Sequence, residues 1–295
     1  MTFRDKWLTA VDAKNSILCA GLDPAESEMG RGNEGLPERT NKLEWALKYV
    51  SAIAPFSAAV KPNINYWKEN DGMHSLREIV DLAHSLGLVV IDDSKLADIG
   101  DTNDAGLYHS KSKGFDAVTI APFAGNLKQA AAQAKARDIG AISMCLMSNP
   151  EYEREKSKLV PIDDTLFSTF LHLTSNAVRV IDEQAYVLQY VYLAYEATIY
   201  GVEGIVIGAP SDKNHIKDYE IKRVSDVASS NTLVLLPGLG KQGGEAQTIM
   251  RYFDKDSVIA NVGRDLMFPS GSYSTPQEQA QRAQQYQKML NELRK

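Results

Sequence analysis

Eight short apolar segments recur along the chain, and most are followed by a stretch with the spacing of an amphipathic helix. Short apolar runs rich in β-branched residues are typical of buried strands, and their alternation with helices is typical of a parallel sheet. The predicted strands are Ser16–Gly21, Ser57–Lys61, a strand beginning with Val89–Ile91, Phe115–Ala121, Gly140–Leu146, Gly204–Gly208, Thr232–Leu236 and Ser257–Val262. Eight repeats favour a closed barrel over an open sheet, so we predict one α/β domain, a (β/α)8 barrel spanning residues 1–295.

One connection departs from this alternation of single strands and single helices. Residues 151–200 follow the fifth strand with a polar, Lys/Glu-rich piece and then a long amphipathic stretch from Val178 to Ala194. We expect an enlarged connection after strand five with its own helices, which could form a lid or a dimer surface. After the seventh strand, residues 245–252 also have a helical pattern.

The third predicted strand runs directly into four acids and one lysine. Side chains alternate along a strand, so Asp93 and Lys95 should point to the same side, with Asp98 three residues further on. This spacing predicts an ammonium between two carboxylates, which should keep Lys95 protonated and make it a suitable proton donor. A solvated loop with a surface ion pair is the structural alternative.

Two turns near the carboxyl terminus suggest an anion site. Phosphate in barrels is often bound by the loops after strands seven and eight, through backbone N–H groups. Here the seventh strand ends in a glycine-rich turn that contains Gln242, and the eighth ends at Gly263-Arg264, whose guanidinium suits phosphate oxygens. A flexible turn and a surface arginine are the alternative, but the pair of turns favours phosphate.

Composition excludes several classes of protein. The net charge of −6 argues against a general nucleic-acid binder, and no apolar run reaches membrane-spanning length. Cys19 and Cys145 fall in predicted strands and are interpreted as core residues. The five histidines lack ligand spacing, so we expect no metal site. The amino terminus lacks the apolar core of a signal peptide, so we expect a cytoplasmic protein.

Four ordered motifs resemble one known family, the orotidine 5'-phosphate decarboxylases, particularly the longer bacterial type. The first two are Ala59-Val60-Lys61-Pro62 and the run from Asp93 to Thr102, which matches the signature Asp-x-Lys-x-x-Asp-Ile-x-x-Thr. The others are the glycine-rich turn at 237–244 and Val262-Gly263-Arg264. The resemblance covers about residues 16–266, and four motifs in order are specific where any one alone would not be.

The resemblance implies cofactor-independent decarboxylation of orotidine 5'-phosphate (OMP) to UMP, in the de novo synthesis of pyrimidines. It assigns Lys95 as the proton donor to C6 of the pyrimidine, and Asp93 as the residue that holds Lys95 and crowds the departing carboxylate. Lys61 would pair with the carboxylates and the ribose. Asp98 and Thr102 would reach into the partner subunit's site, which implies a homodimer.

The remaining substrate contacts also come from the resemblance. Asp23 resembles the ligand of the ribose hydroxyls, and Ser148 the residue that recognises the pyrimidine edge. The phosphate ligands would be Gln242, Gly263 and Arg264.

Two alternative functions stay open at this stage. A sugar-phosphate decarboxylase or aldolase of the same superfamily shares Asp-x-Lys-x-x-Asp but uses magnesium held by an additional acid, whereas strand two here presents Lys61. A non-catalytic binder of a nucleotide or sugar phosphate would keep Gln242 and Arg264 but would have no use for the full set of charges.

Overall fold

The computed structural model describes residues 1–68, 72–240 and 245–295. Eight parallel strands close into a barrel, in the order β1-β2-β3-β4-β5-β9-β10-β11, and this confirms the predicted fold class. The strands are β1 (Leu18–Leu22), β2 (Ala59–Pro62), β3 (Val89–Leu96), β4 (Ala117–Ile120), β5 (Gly140–Leu146), β6 (Leu159–Pro161), β7 (Val178–Ile181), β8 (Gln184–Leu188), β9 (Gly204–Ile207), β10 (Leu233–Leu236) and β11 (Val258–Val262).

Helices surround the barrel. They are α1 (Phe3–Lys14), α2 (Lys42–Ile53), α3 (Gly72–Ser85), α4 (Gly100–Ser112), α5 (Leu127–Ala136), α6 (Tyr152–Lys156), α7 (Asp164–Thr174), α8 (Gln189–Ile199), α9 (Asp218–Val227), α10 (Arg264–Met267) and α11 (Pro276–Arg294). Within the described residues, none of them is both long and apolar enough to cross a membrane.

Local sequence explains where the first and last helices begin. Thr2 and Asp5 form a reciprocal capping box at the start of α1, and Thr275 and Glu278 form another at α11. The buried Trp7 of α1 donates from Nε1 to the carbonyl of Asp256, just before β11 begins. Helix α1 therefore packs at the amino end of the barrel and leaves the carboxyl ends of the strands open.

The connection between β5 and β9 is enlarged, as predicted, but its internal structure differs from the prediction. Strands β6, β8 and β7 form a small antiparallel sheet, and α6, α7 and α8 accompany it. The amphipathic pattern of Val178–Ala194 indicates helix, whereas the first part is a hairpin whose turn residues Asp182 and Glu183 both have positive φ. Two positive φ values in a two-residue turn match the twist of a hairpin, but neither residue is the glycine or asparagine that would have signalled it.

The prediction of a helix over residues 245–252 is wrong. The structure has one 3-10 turn there, Ile249–Arg251. A single turn fixes several dihedral angles for few hydrogen bonds, so a short amphipathic pattern does not by itself propagate into an α-helix.

Candidate active site

A cavity of about 330 Å3 opens at the carboxyl ends of the barrel strands. Parallel strands that close into a barrel bring their ends to one rim, so residues far apart in sequence meet there. Seven of the predicted site residues line this cavity: Asp23, Lys61, Asp93, Lys95, Ser148, Gly263 and Arg264.

Lys61 and Asp93 form a buried ion pair between neighbouring strands. The Lys61 ammonium donates to Asp93 Oδ2, and Lys61 is only 4% exposed. Burial by itself would lower the pKa of Lys61, but the charges of Asp93 and Asp23 outweigh it and the pKa lies above the ordinary lysine value. Burial would likewise raise the pKa of Asp93, but Lys61 and Lys95 hold it well below its usual range. Asp93 is therefore a fixed anion.

Lys95 occupies the other oxygen of Asp93, with Nζ 2.5 Å from Oδ1. Strand β3 extends past the acids to Leu96, and its register against β4 shifts between Asp92 and Leu96. Within this irregularity Lys95 has φ +50°, and its backbone N–H donates to Thr119 Oγ1 at 2.9 Å. The contact with Asp93 is predicted from simple alternation, but the backbone between the two residues is irregular.

Asp98 and Thr102 do not join this cluster within one chain. Both are exposed, and among the described residues neither lines the cavity. Asp98 Oδ1 instead accepts from the backbone N–H of Ile99 at 2.8 Å. The expectation from spacing alone, that Lys95 lies between two carboxylates, is thus wrong for the isolated chain, because β3 ends at Leu96 and the backbone turns into α4.

Asp23 lies at the end of β1 and has an unpaired oxygen. Its Oδ1 is buried and has no hydrogen-bond partner among the described residues. Burial raises the pKa of Asp23, while the Lys61 ammonium opposes that shift. Buried acceptors are normally satisfied, so this oxygen is free to accept a hydrogen bond from a ligand hydroxyl.

The predicted anion site lies at the ends of β10 and β11, and β11 is the neighbour of β1 in the barrel. Gly238 and Gly240 have φ +99° and +86°, values that favour glycine and let the backbone after β10 turn tightly. Arg264 begins α10 at the rim, and its Nη1 lies 2.7 Å from Glu34 Oε2. Gln242 lies outside the described residues, so its predicted role stays a prediction.

Ser148 lies at the end of β5, next to apolar side chains. Met144 and Met147 line the cavity beside it, and Leu235 lines it from β10. The Ser148 side chain packs so closely on Gly208 that a Cβ at that position would lie 2.6 Å from Ser148 Cβ. The cavity thus has both charged and apolar lining residues, and the apolar ones can pack against a planar ring.

Two further residues at the cavity were not identified from the sequence. Thr119 Oγ1 donates to Asp93 Oδ1 at 3.2 Å, and Asn261 has a buried Oδ1 without a partner among the described residues. Each is a polar residue within an otherwise apolar strand, at a position that faces the barrel interior. That pattern is the signal that could have identified them.

These contacts define what the site can do chemically. Two ammonium groups and one fixed carboxylate converge, and the Lys95 side chain remains 40% exposed towards the cavity. Such a group can stabilise negative charge that develops on a bound molecule and can then transfer a proton to it. Among the described residues, no cluster of three or more His, Cys, Asp and Glu side chains has the arrangement of a metal site.

Comparison with known proteins identifies relatives that match over most of the chain. The sequence model described as "Orotidine 5'-phosphate decarboxylase / HUMPS family" matches residues 16–270. Orotidine 5'-phosphate decarboxylase of Corynebacterium glutamicum is 30% identical over 283 residues, covering 93% of this chain and 90% of that protein. The enzyme of the same name from Variovorax paradoxus is 29% identical over 277 residues, covering 92% and 91%.

The fold has counterparts among solved structures. OMP decarboxylase of Leishmania donovani superposes with a TM-score of 0.70 at 21% identity, and the match covers 99% of each chain. At this identity the likeness concerns the fold alone.

Proposed function

The chain belongs to the orotidine 5'-phosphate decarboxylase / HUMPS family, and we propose that its cavity decarboxylates OMP to UMP, with Lys95 as the proton donor. The assignment of the reaction rests on a family match that covers most of the chain and on relatives of one name that align over nine-tenths of their length. The roles of individual residues are proposed from the family resemblance, and the geometry described above supports them.

In the proposed reaction, the bond between C6 and the carboxylate carbon breaks and carbon dioxide leaves. The electron pair of that bond remains on C6 as a vinyl carbanion. Lys95 Nζ transfers a proton to C6, which gives UMP, and the neutral amine then regains a proton from solvent. The partial exposure of Lys95 provides the route for that last step.

Asp93 has two tasks in this scheme. It bonds both ammonium groups and so holds Lys95 at a fixed position next to the reacting carbon. Because its pKa is held low, it also remains negative and lies close to the substrate carboxylate, which favours departure of that group. Lys61 balances this charge and is close enough to Asp23 for their charges to interact.

The ends of different strands would bind the ribose and the phosphate of the nucleotide. The unpaired Asp23 Oδ1 would accept from a ribose hydroxyl, while Gln242, Gly263 and Arg264 would bind the phosphate. Binding energy from a remote phosphate can position the reacting centre. Ser148 would contact the pyrimidine edge, and the methionines would pack against the ring.

We further propose a cytoplasmic homodimer in which the barrel and its insert form one domain. Asp98 and Thr102 are exposed and lie away from the cavity of their own chain, and the neighbouring Ile99 is 60% exposed. A carboxylate and a hydroxyl beside an exposed apolar residue suit a contact with a second subunit. In the dimer these side chains would complete the partner's site.

The single observation that carries the proposal is the cluster Lys61–Asp93–Lys95 at the end of β2 and β3. A binder of sugar phosphates would gain nothing from the buried Lys61–Asp93 pair, because removing two charges from water has a large desolvation cost. The magnesium-dependent sugar-phosphate enzymes of the superfamily are the nearest alternative. Here both Asp93 oxygens already bond ammonium groups, which leaves little capacity for a cation.

The test is to incubate the purified protein with OMP in excess chelator and to identify the product. Formation of UMP and carbon dioxide supports the proposal. If OMP is unchanged, while a keto-sugar phosphate is converted once magnesium is supplied, the alternative replaces it. Binding of UMP without conversion of OMP would indicate a non-catalytic binder.

A further inference from the structure

A buried charged cluster lies outside the reacting centre, between the insert and the barrel. Lys156 ends α6, and Glu220 lies in the first turn of α9; their exposed fractions are 8% and 4%. Lys156 Nζ lies 2.7 Å from Glu220 Oε1 and also donates to the backbone carbonyl of His215 at 2.7 Å. These groups are 59 and 64 residues away in sequence from Lys156.

The cluster continues to the rim of the cavity through the His215 ring. His215 Nε2 lies 3.0 Å from the carbonyl oxygen of Asn149, and because a carbonyl only accepts, Nε2 carries the hydrogen. The same carbonyl accepts from the backbone N–H of Tyr152 at 3.0 Å. Asn149 and its neighbour Ser148 both line the cavity.

Each member of the cluster therefore supports the next. Glu220 Oε2 also accepts from the backbone N–H of Lys217 at 2.9 Å, which fixes the segment that enters α9. Lys156 also bonds the carbonyl of His215. The backbone of residues 215–217 is therefore held by both Lys156 and Glu220. The His215 ring then fixes the turn that carries Ser148, against the close contact of Ser148 with Gly208.

Fold stability alone is a poor reason for this arrangement. Burying an ion pair has a desolvation cost, and an apolar pair of similar volume is often as stable or more so. A fixed network next to a binding residue is instead the usual way to hold that residue within a narrow geometry.

We propose that Lys156, His215 and Glu220 are positioning residues that hold the Ser148–Asn149 turn in place for recognition of the pyrimidine. This inference rests on the proposed function, because it takes the base end of the nucleotide to lie at Ser148. The phosphate end is bound by other loops, those after β10 and β11. Loss of the network should therefore weaken contacts with the base and leave contacts with the ribose phosphate unchanged.

The experiment compares two ligands and two substitutions at one position. For His215→Ala, the Kd of UMP and the KM of OMP should rise about fivefold to tenfold, as for loss of one hydrogen bond. The Kd of ribose 5-phosphate should stay within about twofold of the wild-type value. His215→Gln, whose side-chain amide can still donate to the Asn149 carbonyl, should recover most of the affinity for UMP.

The possible results separate this inference from the proposed function. If wild-type protein neither binds UMP nor converts OMP, the proposed function fails. If the wild type does both and His215→Ala matches it, or loses affinity for both ligands equally, only the positioning role fails.

A second variant covers the case in which His215→Ala does not fold. Lys156→Met combined with Glu220→Gln removes the charges, while the glutamine can still accept from Lys217. This variant should show the same loss of affinity for UMP, with the affinity for ribose 5-phosphate unchanged. An unchanged affinity for UMP in this variant would overturn the inference.

Discussion

The Lys61 ammonium and the Asp93 carboxylate form an ion pair across neighbouring barrel strands, with side chains only 6% and 9% exposed. Lys95 bonds the second Asp93 oxygen. One carboxylate therefore organises both cations of the site, so the consequences of its charge can be measured in stability as well as in activity.

Removing the charge of Asp93 should destabilise the fold. Asp93→Asn leaves Lys61 buried without an anionic partner, and breaking a buried pair in this way costs about 3–5 kcal/mol of unfolding free energy. The pKa of Asp93 is lowered in the folded state, so its contribution is fully present above the unfolded value and is lost as pH falls through the folded value. Denaturant unfolding of wild-type and Asp93→Asn proteins between neutral and acidic pH should therefore show that the difference in their unfolding free energies becomes smaller at low pH.

The matched control for Asp93 is Glu44→Gln. Glu44 pairs with Lys48 on an exposed helix surface, so its loss should leave stability unchanged. An Asp93→Asn protein as stable as wild type at neutral pH would contradict the importance of the buried pair.

Ionisation of Asp92 should destabilise the fold, whereas ionisation of Asp93 stabilises it. This carboxyl faces α4, where Ser110 donates to it, and burial, only partly offset by that hydrogen bond, raises its pKa to about 6. Between the unfolded value of about 3.9 and this value the folded protein holds the extra proton, so stability falls as pH rises through that interval. Asp92→Asn, which cannot ionise, should be more stable than wild type by about 1–3 kcal/mol at pH 8, and similar to it near pH 4.

Urea unfolding at several pH values measures this difference. The exposed substitution Asp81→Asn is the control and should show no such gain. A stability difference for Asp92→Asn that is the same at every pH would show that titration of Asp92 is not its cause.

Features that depend on a few neighbouring residues could be predicted from the sequence. Features that depend on contacts between residues far apart in sequence could not, apart from those that the barrel topology determines. The barrel strands are short apolar runs, and their predicted positions agree with the structure to within about two residues, apart from β3, which extends further. Convergence of Lys61, Asp93 and Lys95 follows from strand ends meeting at one rim. The irregular backbone at Lys95 could not be predicted, because a positive φ at a non-glycine residue leaves no local signal.

The insert was less predictable for two physical reasons. The stretch Val178–Ala194 fits both helical and strand periodicity, and its turn residues Asp182 and Glu183 are not typical of hairpins. The ion pair between Lys156 and Glu220 joins residues 64 positions apart. Only the packing of the insert on the barrel brings them together.

Arg264 should bind the phosphate and not the base. Arg264→Ala should raise the KM of OMP about tenfold to a hundredfold, since hydrogen bonds between charged groups are stronger than neutral ones. Turnover of the nucleoside orotidine, which lacks the phosphate, should be unchanged. Arg77→Ala, on an exposed helix surface, is the control; an equal loss with OMP and orotidine for Arg264→Ala would argue against a phosphate contact.

The dimer proposal can be tested by complementation. Lys95→Ala and Asp98→Ala proteins should each be inactive, but if Asp98 acts across the interface, mixed dimers contain one intact site. Random exchange makes about half of the dimers mixed, so activity should recover to about a quarter of the wild-type value. No recovery after verified subunit exchange would place Asp98 in its own chain's site or outside catalysis.

The most direct test of the central claim is the rate of UMP formation from OMP by wild-type and Lys95→Ala proteins, measured together with their affinity for UMP. General acid catalysis typically contributes about 10²–10⁴-fold, so the variant should lose at least that factor in kcat while it still binds UMP and remains folded. Lys48→Ala, at an exposed position, should behave as wild type. Wild-type turnover by Lys95→Ala would contradict the assignment of Lys95 as the proton donor.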